Sequence, residues 1–132
     1  MKKWEKYIGI PYKHLGRDWN GCDCYGIAML YYKELLDIEL KDWWYEPNWS
    51  KLGKNHMLNR AEELKFIKVE EPRKHDLVLM KLDITAIIPN HLAIVVKVPN
   101  IAISGMRGGV RVMDLNSSAI KKRIEGYYRC QN

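Results

Sequence analysis

After Pro72 the chain stops reading as helix and turns into a succession of short β-rich runs. DLVLMKL, HLAIVVKV, NIAISG, GVRVMDL and RIEGYYRC follow one another with turn residues between them. Ahead of Pro72 the pattern is helical. Lys2 to Ile8 reads as a short helix. Ile27, Leu30, Tyr31, Leu35 and Ile38 fall at steps of three and four, which predicts a helix from about Cys24 to Leu36. A further helix is expected from about Met57 to Phe66. The stretch IGIPYKHLGRDWNG is broken by Pro11, Gly16 and Gly21 and reads as a loop, and residues 41–55 form an aromatic-rich loop. Helices first and strands afterwards describe an α+β domain with an antiparallel sheet. There is no linker, repeat or low-complexity tract, and 132 residues suit a single domain spanning 1–132.

Within this frame the segment WNGCDCYGIAML concentrates the chemistry. Cys22 and Cys24 stand one residue apart, and with Cys130 they make an odd count of three. The pair is too close to bridge comfortably, and nothing suggests a disulfide framework. A structural zinc site wants four ligands, usually as spaced pairs. Here there is one C-x-C, and His14, His56, His75 and His91 are dispersed, so a metal is weakly supported. Core packing is a serious reading for Cys22 and Cys130, because free cysteine is among the most buried residue types. Cys24 fits it less well. It opens the long helix, where unpaired N–H groups and the macrodipole stabilise a thiolate and lower the thiol pKa. Asp23 is placed to cap that helix, and Gly26 leaves room for a substrate backbone to come close.

A thiolate needs a base, and the base needs an orienter. His91 is the candidate base, at the start of what reads as an alternating apolar strand, where a side chain can face a cleft. A helix-opening Cys with a strand-opening His is the layout of Cys–His catalysis on a helix packed against a sheet.

Charge and composition narrow the partners. Lys and Arg number 22 against 16 Asp and Glu, a formal charge of +6, which suits a polyanionic partner or simply a solvated basic surface. The Lys and Arg are scattered, with no nucleic-acid motif and no basic stripe, so a specific nucleic-acid role ranks last. Five Trp and eight Tyr against one Phe favour half-wet sites such as groove walls, although a Trp cluster such as WWYEPNW is more often core or interface. No window approaches the ~20 apolar residues of a membrane span. The N-terminus lacks the apolar stretch of a signal peptide, so the expectation is a protein made in the cytoplasm.

The residues in order resemble the NlpC/P60 family of cell-wall cysteine peptidases, which have a compact papain-like fold. YIGIPYKHLGRDWNGCDCYG is similar to the family's Pro-Tyr loop and Asp-Cys-Ser-Gly box, with Tyr25 in place of the Ser. KHDLVLM resembles its Pro-Gly-Asp-Leu strand entry, NHLAIVV its Ser-His-Val-Gly-Ile strand, and GVRVMDL the strand that follows. The resemblance implies that Cys24 is the nucleophile and His91 the general base. Tyr12 matches a tyrosine beside the nucleophile that helps the oxyanion site, and Asp23 matches an acid of structural character in the oxyanion and substrate region. Ser104 falls where the family usually has a third polar residue, often His; it can accept a hydrogen bond from an imidazole N–H but supplies no charge. His14 is a second candidate for that place. Cys22 stands where an apolar residue is usual.

The resemblance further implies hydrolysis of an amide in the stem peptide of peptidoglycan, at the bond after a γ-linked D-glutamate, with no cofactor and no metal. A bare unit without a leader is similar to peptidases carried in phage tails, which makes tail proteins expected partners and the virion an expected location. Two other readings stay open: a non-catalytic structural component of a tail or other assembly, and an acyltransferase or amidase acting on another molecule.

Overall fold

The computed structural model describes residues 3–47, 56–82 and 88–131. The chain opens with a 3-10 helix, Lys3–Tyr7, and a small hairpin of β1 (Arg17–Asp18) and β2 (Gly21–Cys22). Helix α1 (Cys24–Leu36) follows, then α2 (His56–Glu63), β3 (Phe66–Val69), β4 (Leu77–Met80), β5 (His91–Lys97), β6 (Ile101–Met106), β7 (Gly109–Asp114), α3 (Ser118–Lys121) and β8 (Ile124–Cys130). The strands β3 to β8 form one six-stranded sheet in the order β3-β8-β4-β5-β6-β7, and every neighbouring pair is antiparallel. This is the α+β architecture expected from the order of periodicities.

Helix α1 has the predicted bounds, and both ends have a local cause. Asp23 caps the N-terminus, its side chain accepting from the Gly26 N–H. Asp37 closes the C-terminus in the left-handed conformation, φ 55°, its N–H donating to the Tyr32 carbonyl. The helix is buried over more than one stripe. Ile27, Leu30 and Tyr31 are joined by Tyr25, Ala28 and Tyr32. Tyr7 packs on Tyr31 from one flank, while Trp43 and Phe66 meet Tyr25 and Tyr32 from the other. A helix covered on both flanks as well as by the sheet needs a wide apolar face.

Two expectations are corrected. Helix α2 ends at Glu63, not Phe66. Lys65 adopts φ 61°, which turns the chain, and Phe66 begins β3 by pairing with Cys130. The edge of β8 offers unpaired backbone groups there, and pairing them outweighs one more turn of a polar helix. Strand β5 is also not half-exposed. Leu92, Ile94 and Val96 belong to the core under α1, and Ala93 and Val95 to a second core with Val78, Met80, Ala102, Met113 and Leu115 on the other sheet face. Burial on both faces explains the unbroken run LAIVV. Residues 48–55 of the predicted aromatic loop, including Trp49, lie outside the described residues.

Gly26 is buried, and its missing side chain makes room for protein rather than for a substrate. A Cβ there would fall 1.9 Å from the Gly16 carbonyl oxygen, so the loop before β1 rests directly on the first turn of α1. Gly26→Ala should therefore destabilise the fold by about 1–3 kcal/mol through overpacking. The check is a lower urea midpoint with an unchanged slope; an unchanged midpoint would show that the loop moves aside freely.

Candidate active site

Cys24 is the first residue of α1, and its position is set by Asp23. The Asp23 carboxylate is only 3% exposed and takes donors on both oxygens. Oδ1 accepts from the Gly26 N–H at 2.7 Å and from Arg17 Nη1 at 2.8 Å. Oδ2 accepts from the Leu15 N–H at 2.9 Å and from the Tyr45 hydroxyl. Arg17 is held in turn by Asp42 at 2.9 Å and by Tyr45 at 3.1 Å. A buried carboxylate is tolerated because it is paired and hydrogen-bonded. With its lone pairs so committed, Asp23 ties the helix start to the loop before β1 and to the chain at residue 45. It has no proton to offer an oxyanion.

The sheet admits this helix end at Gly105 of β6. A Cβ on Gly105 would lie 2.5 Å from the Asp23 carbonyl oxygen and 3.3 Å from the Cys24 nitrogen. The close approach sets Cys24 against the start of β5, where the backbone N–H groups of Leu92 and Tyr25 favour its thiolate.

His91 opens β5, paired with Met80, and is 7% exposed. Its Nε2 is hydrogen-bonded to Ser104 Oγ on β6. The Ser104 hydroxyl donates its own proton to the Leu92 carbonyl at 2.8 Å, so toward His91 it acts as acceptor. That network assigns the Nε2–H tautomer and leaves the lone pair on Nδ1. His14 is engaged elsewhere: its Nε2 meets the Tyr45 carbonyl at 3.0 Å, and its ring stands edge-on to the Tyr45 ring.

Cys24, His91, Tyr12, His14, Tyr45 and Arg107 border one cleft of about 370 Å³. Tyr12 is placed there by backbone bridging to Cys22, is 40% exposed, and has its phenol pushed up by burial and by Asp23 and Cys24, with Arg107 opposing. It therefore remains a hydrogen-bond donor. Cys22 faces the core, fully buried, with its thiol donating to the Asp18 carbonyl at 3.2 Å. Among the described residues no cluster of three or more His, Cys, Asp or Glu is arranged to hold a metal ion.

The electrostatics reverse one expectation. The Cys24 thiol is pushed up to about 12, not lowered, by burial first and then by the neighbouring Asp23 carboxylate. The N–H groups of Leu92 and Tyr25 pull the other way but are outweighed. Burial pushes His91 down to about 4, with Asp23 opposing. The resting state is thus a neutral thiol and a neutral imidazole lining one cleft. Helix position alone ranks the thiolate favourably; the packing around the sulfur decides against it.

Sequence reasoning passed over Arg17, Tyr45 and Arg107. Tyr45 lay in a segment read for its tryptophans, and Arg17 was one basic residue in a loop. Nothing local marks either as a partner of Asp23.

The fold is shared with solved structures. A lipoprotein-like NLP/P60 family protein of Staphylococcus aureus superposes with a TM-score of 0.66 at 20% identity, over 96% of this chain and 38% of that one. The NlpC/p60 domain of the peptidoglycan hydrolase SagA gives 0.64 at 19% identity, over 96% of this chain and 92% of that domain. An NlpC/P60 family protein of Bacillus cereus gives 0.68 at 19% identity, over 97% of this chain. The chain spans about 38% of the length of the Staphylococcus and Bacillus proteins. No curated protein matches. A helix-borne cysteine against a strand-borne histidine, on this sheet, agrees with the match of residues 9–129 to the family as a whole: the chain belongs to the NlpC/P60 family.

Proposed function

We propose that the chain is a cysteine hydrolase that cleaves an amide in the stem peptide of peptidoglycan, at the bond following a γ-linked D-glutamate. The observation that carries the chemistry is the Ser104–His91 hydrogen bond, which leaves Nδ1 as the basic nitrogen of a buried imidazole that lines the same cleft as Cys24. Family membership and the likeness to a domain of a peptidoglycan hydrolase support the substrate class.

In this reading His91 Nδ1 takes the Cys24 proton as the sulfur attacks the carbonyl carbon. The tetrahedral oxyanion is met by the Cys24 N–H, a first-turn amide without an intrahelical acceptor, and by the Tyr12 hydroxyl. The imidazolium then gives its proton to the leaving nitrogen, the C–N bond breaks, and a thioester remains on Cys24. Water, activated by the same imidazole, releases the acid and restores the thiol. Ser104 keeps the tautomer, as an orienter must, but places no charge beside the imidazolium. Asp23 positions the helix start, and its charge raises the Cys24 thiol and opposes the lowering of His91. The proposed setting is a phage tail that carries the enzyme to the host wall, so the chain should be found in purified virions rather than free in the host; its absence from the particle would reject that setting.

Digestion of purified peptidoglycan by wild type should release cleaved stem peptides identifiable by mass spectrometry. Cys24→Ala and His91→Ala should each lower the rate by at least about a thousandfold, with the double variant little worse, because the groups act as a unit. Folded wild type that leaves the wall intact, and whose Cys24 resists alkylation, would make the chain a non-catalytic assembly component.

The pH dependence is specific. His91 works as a base only when neutral, and burial holds it near 4 rather than the ordinary 6.5. The acid limb of kcat/KM on a soluble stem peptide should therefore lie near pH 4, with activity falling as pH drops through it. An acid limb between 6 and 7 would show that the imidazole is less buried in the working enzyme.

A further inference from the structure

A groove of about 680 Å³ opens at the far ends of α1 and β5 from the catalytic cleft, between the 3-10 helix and the loop before β4. Cys24 and the bordering Leu35 stand near opposite ends of α1, about 16 Å apart along its axis. His91 and the bordering Lys97 stand at opposite ends of β5, about 20 Å apart. Three exposed lysines from separate parts of the chain, Lys3, Lys74 and Lys97, border the groove. No aspartate or glutamate borders it among the described residues. The one acidic side chain outside them is that of Asp83, which follows Leu82 of the catalytic cleft in the chain. Of the acids next to bordering residues in sequence, Asp76 is held by Arg129 at 2.8 Å and by the Arg73 N–H at 2.7 Å. Glu34 is held by Tyr7 at 2.6 Å and Trp19 at 3.0 Å, and Glu5 does not border the groove. Among the described residues none of the three lysines has an ion-pair partner. The loop that carries Lys74 is fixed in place. His75 adopts φ 81°, a strained value for a residue with a side chain. It is held there by Tyr31 on its Nδ1 at 2.7 Å, by its own N–H donating to the Val95 carbonyl at 2.7 Å, and by Tyr32 donating to its carbonyl.

We propose that this groove is a second binding site, separate from the catalytic cleft, for a soluble phosphate ester of an aliphatic alcohol. Three unpaired ammoniums around one concavity, with no carboxylate among them, make a positive potential that an anion relieves. The fixed charges are all lysines. Lysine is a compact charge that suits phosphate oxygens, and it lacks the planar fork with which arginine pairs carboxylates. Between the lysines the walls are apolar: Leu35, Val96 and Val98, the last 49% exposed, give an alkyl group surface to cover. Trp4 and Tyr31 also border the groove, but both are buried, so no open ring face is offered to a nucleic-acid base. A concave site also disfavours a flat bilayer, which would meet only its rim. The volume lies within the range of small-molecule sites. The site does not depend on the reading of Cys24 as nucleophile.

The test is a titration of the full chain with dibutyl phosphate, followed through its backbone amide resonances, with inorganic phosphate and pentanoate as comparisons. Dibutyl phosphate should saturably shift the amides of Lys74, His75, Lys97 and Val98 and leave those of Cys24 and His91 in place. It should bind at least about 10-fold more tightly than inorganic phosphate, because its alkyl groups cover the apolar walls. It should also bind more tightly than pentanoate, and less tightly as salt is added. The double variant Lys74→Glu/Lys97→Glu changes only exposed side chains, so it should keep the wild-type thermal midpoint and the wild-type rate of Cys24 alkylation by iodoacetamide. It should lose at least about 10-fold in affinity for dibutyl phosphate. No saturable shift, equal affinity for pentanoate or inorganic phosphate, or binding that survives the double substitution would overturn the site. Phosphatidylglycerol vesicles are the last arm: capture of wild type by them, without binding of dibutyl phosphate, would overturn the soluble ester in favour of a membrane surface.

Discussion

Everything in the site hangs on the buried pairing of Asp23 with Arg17. One carboxylate caps α1, fixes the loop before β1 through Leu15, and holds Tyr45, while Arg17 carries the tie onward to Asp42. These groups are far apart in sequence and would not stay together without a charge to share. Leaving either member of such a pair alone in the interior costs several kcal/mol, which is why the arrangement is all or none. Gly105 complements it from the sheet by letting the helix end approach. Together they decide where the Cys24 sulfur stands relative to His91.

The same compactness shapes the chemistry. Packing around the helix start raises the Cys24 thiol and lowers the His91 imidazole, so in the proposed reaction charge is created during the chemistry rather than stored beforehand. An orienter without charge suits that scheme. Ser104 selects the tautomer through a hydrogen bond whose direction is set by its own donation to the Leu92 carbonyl, and it does not draw a proton onto the imidazole at rest. A polar cleft and an apolar recess meet at Cys24 and Tyr45.

Much of this was legible before the structure. The periodicity of Ile27, Leu30 and Tyr31 and the cap at Asp23 located α1 to the residue, because helix bounds are set by groups within one turn of each other. The order of helical and β-rich runs indicated the α+β class, and Cys24 and His91 stood out by opening a helix and a strand. The misreadings share a cause. Phe66 went to a strand because β8, some sixty residues later, offered it a partner. Gly26 was filled by Gly16, and β5 was covered on both faces, by neighbours no local window contains.

The sequence by itself determined the α+β class, where α1 begins, and that Cys24 and His91 are the candidates for nucleophile and base, since propensity, capping and periodicity act over a few residues. Only the tertiary structure decided that Ser104 rather than His14 meets His91, that Arg17 and Tyr45 anchor Asp23, that the Cys24 thiol is raised rather than lowered, and that an apolar recess adjoins it. Desolvation and cavity shape are sums over atoms brought together by the whole fold, and no short stretch of chain holds enough of them to set the sign.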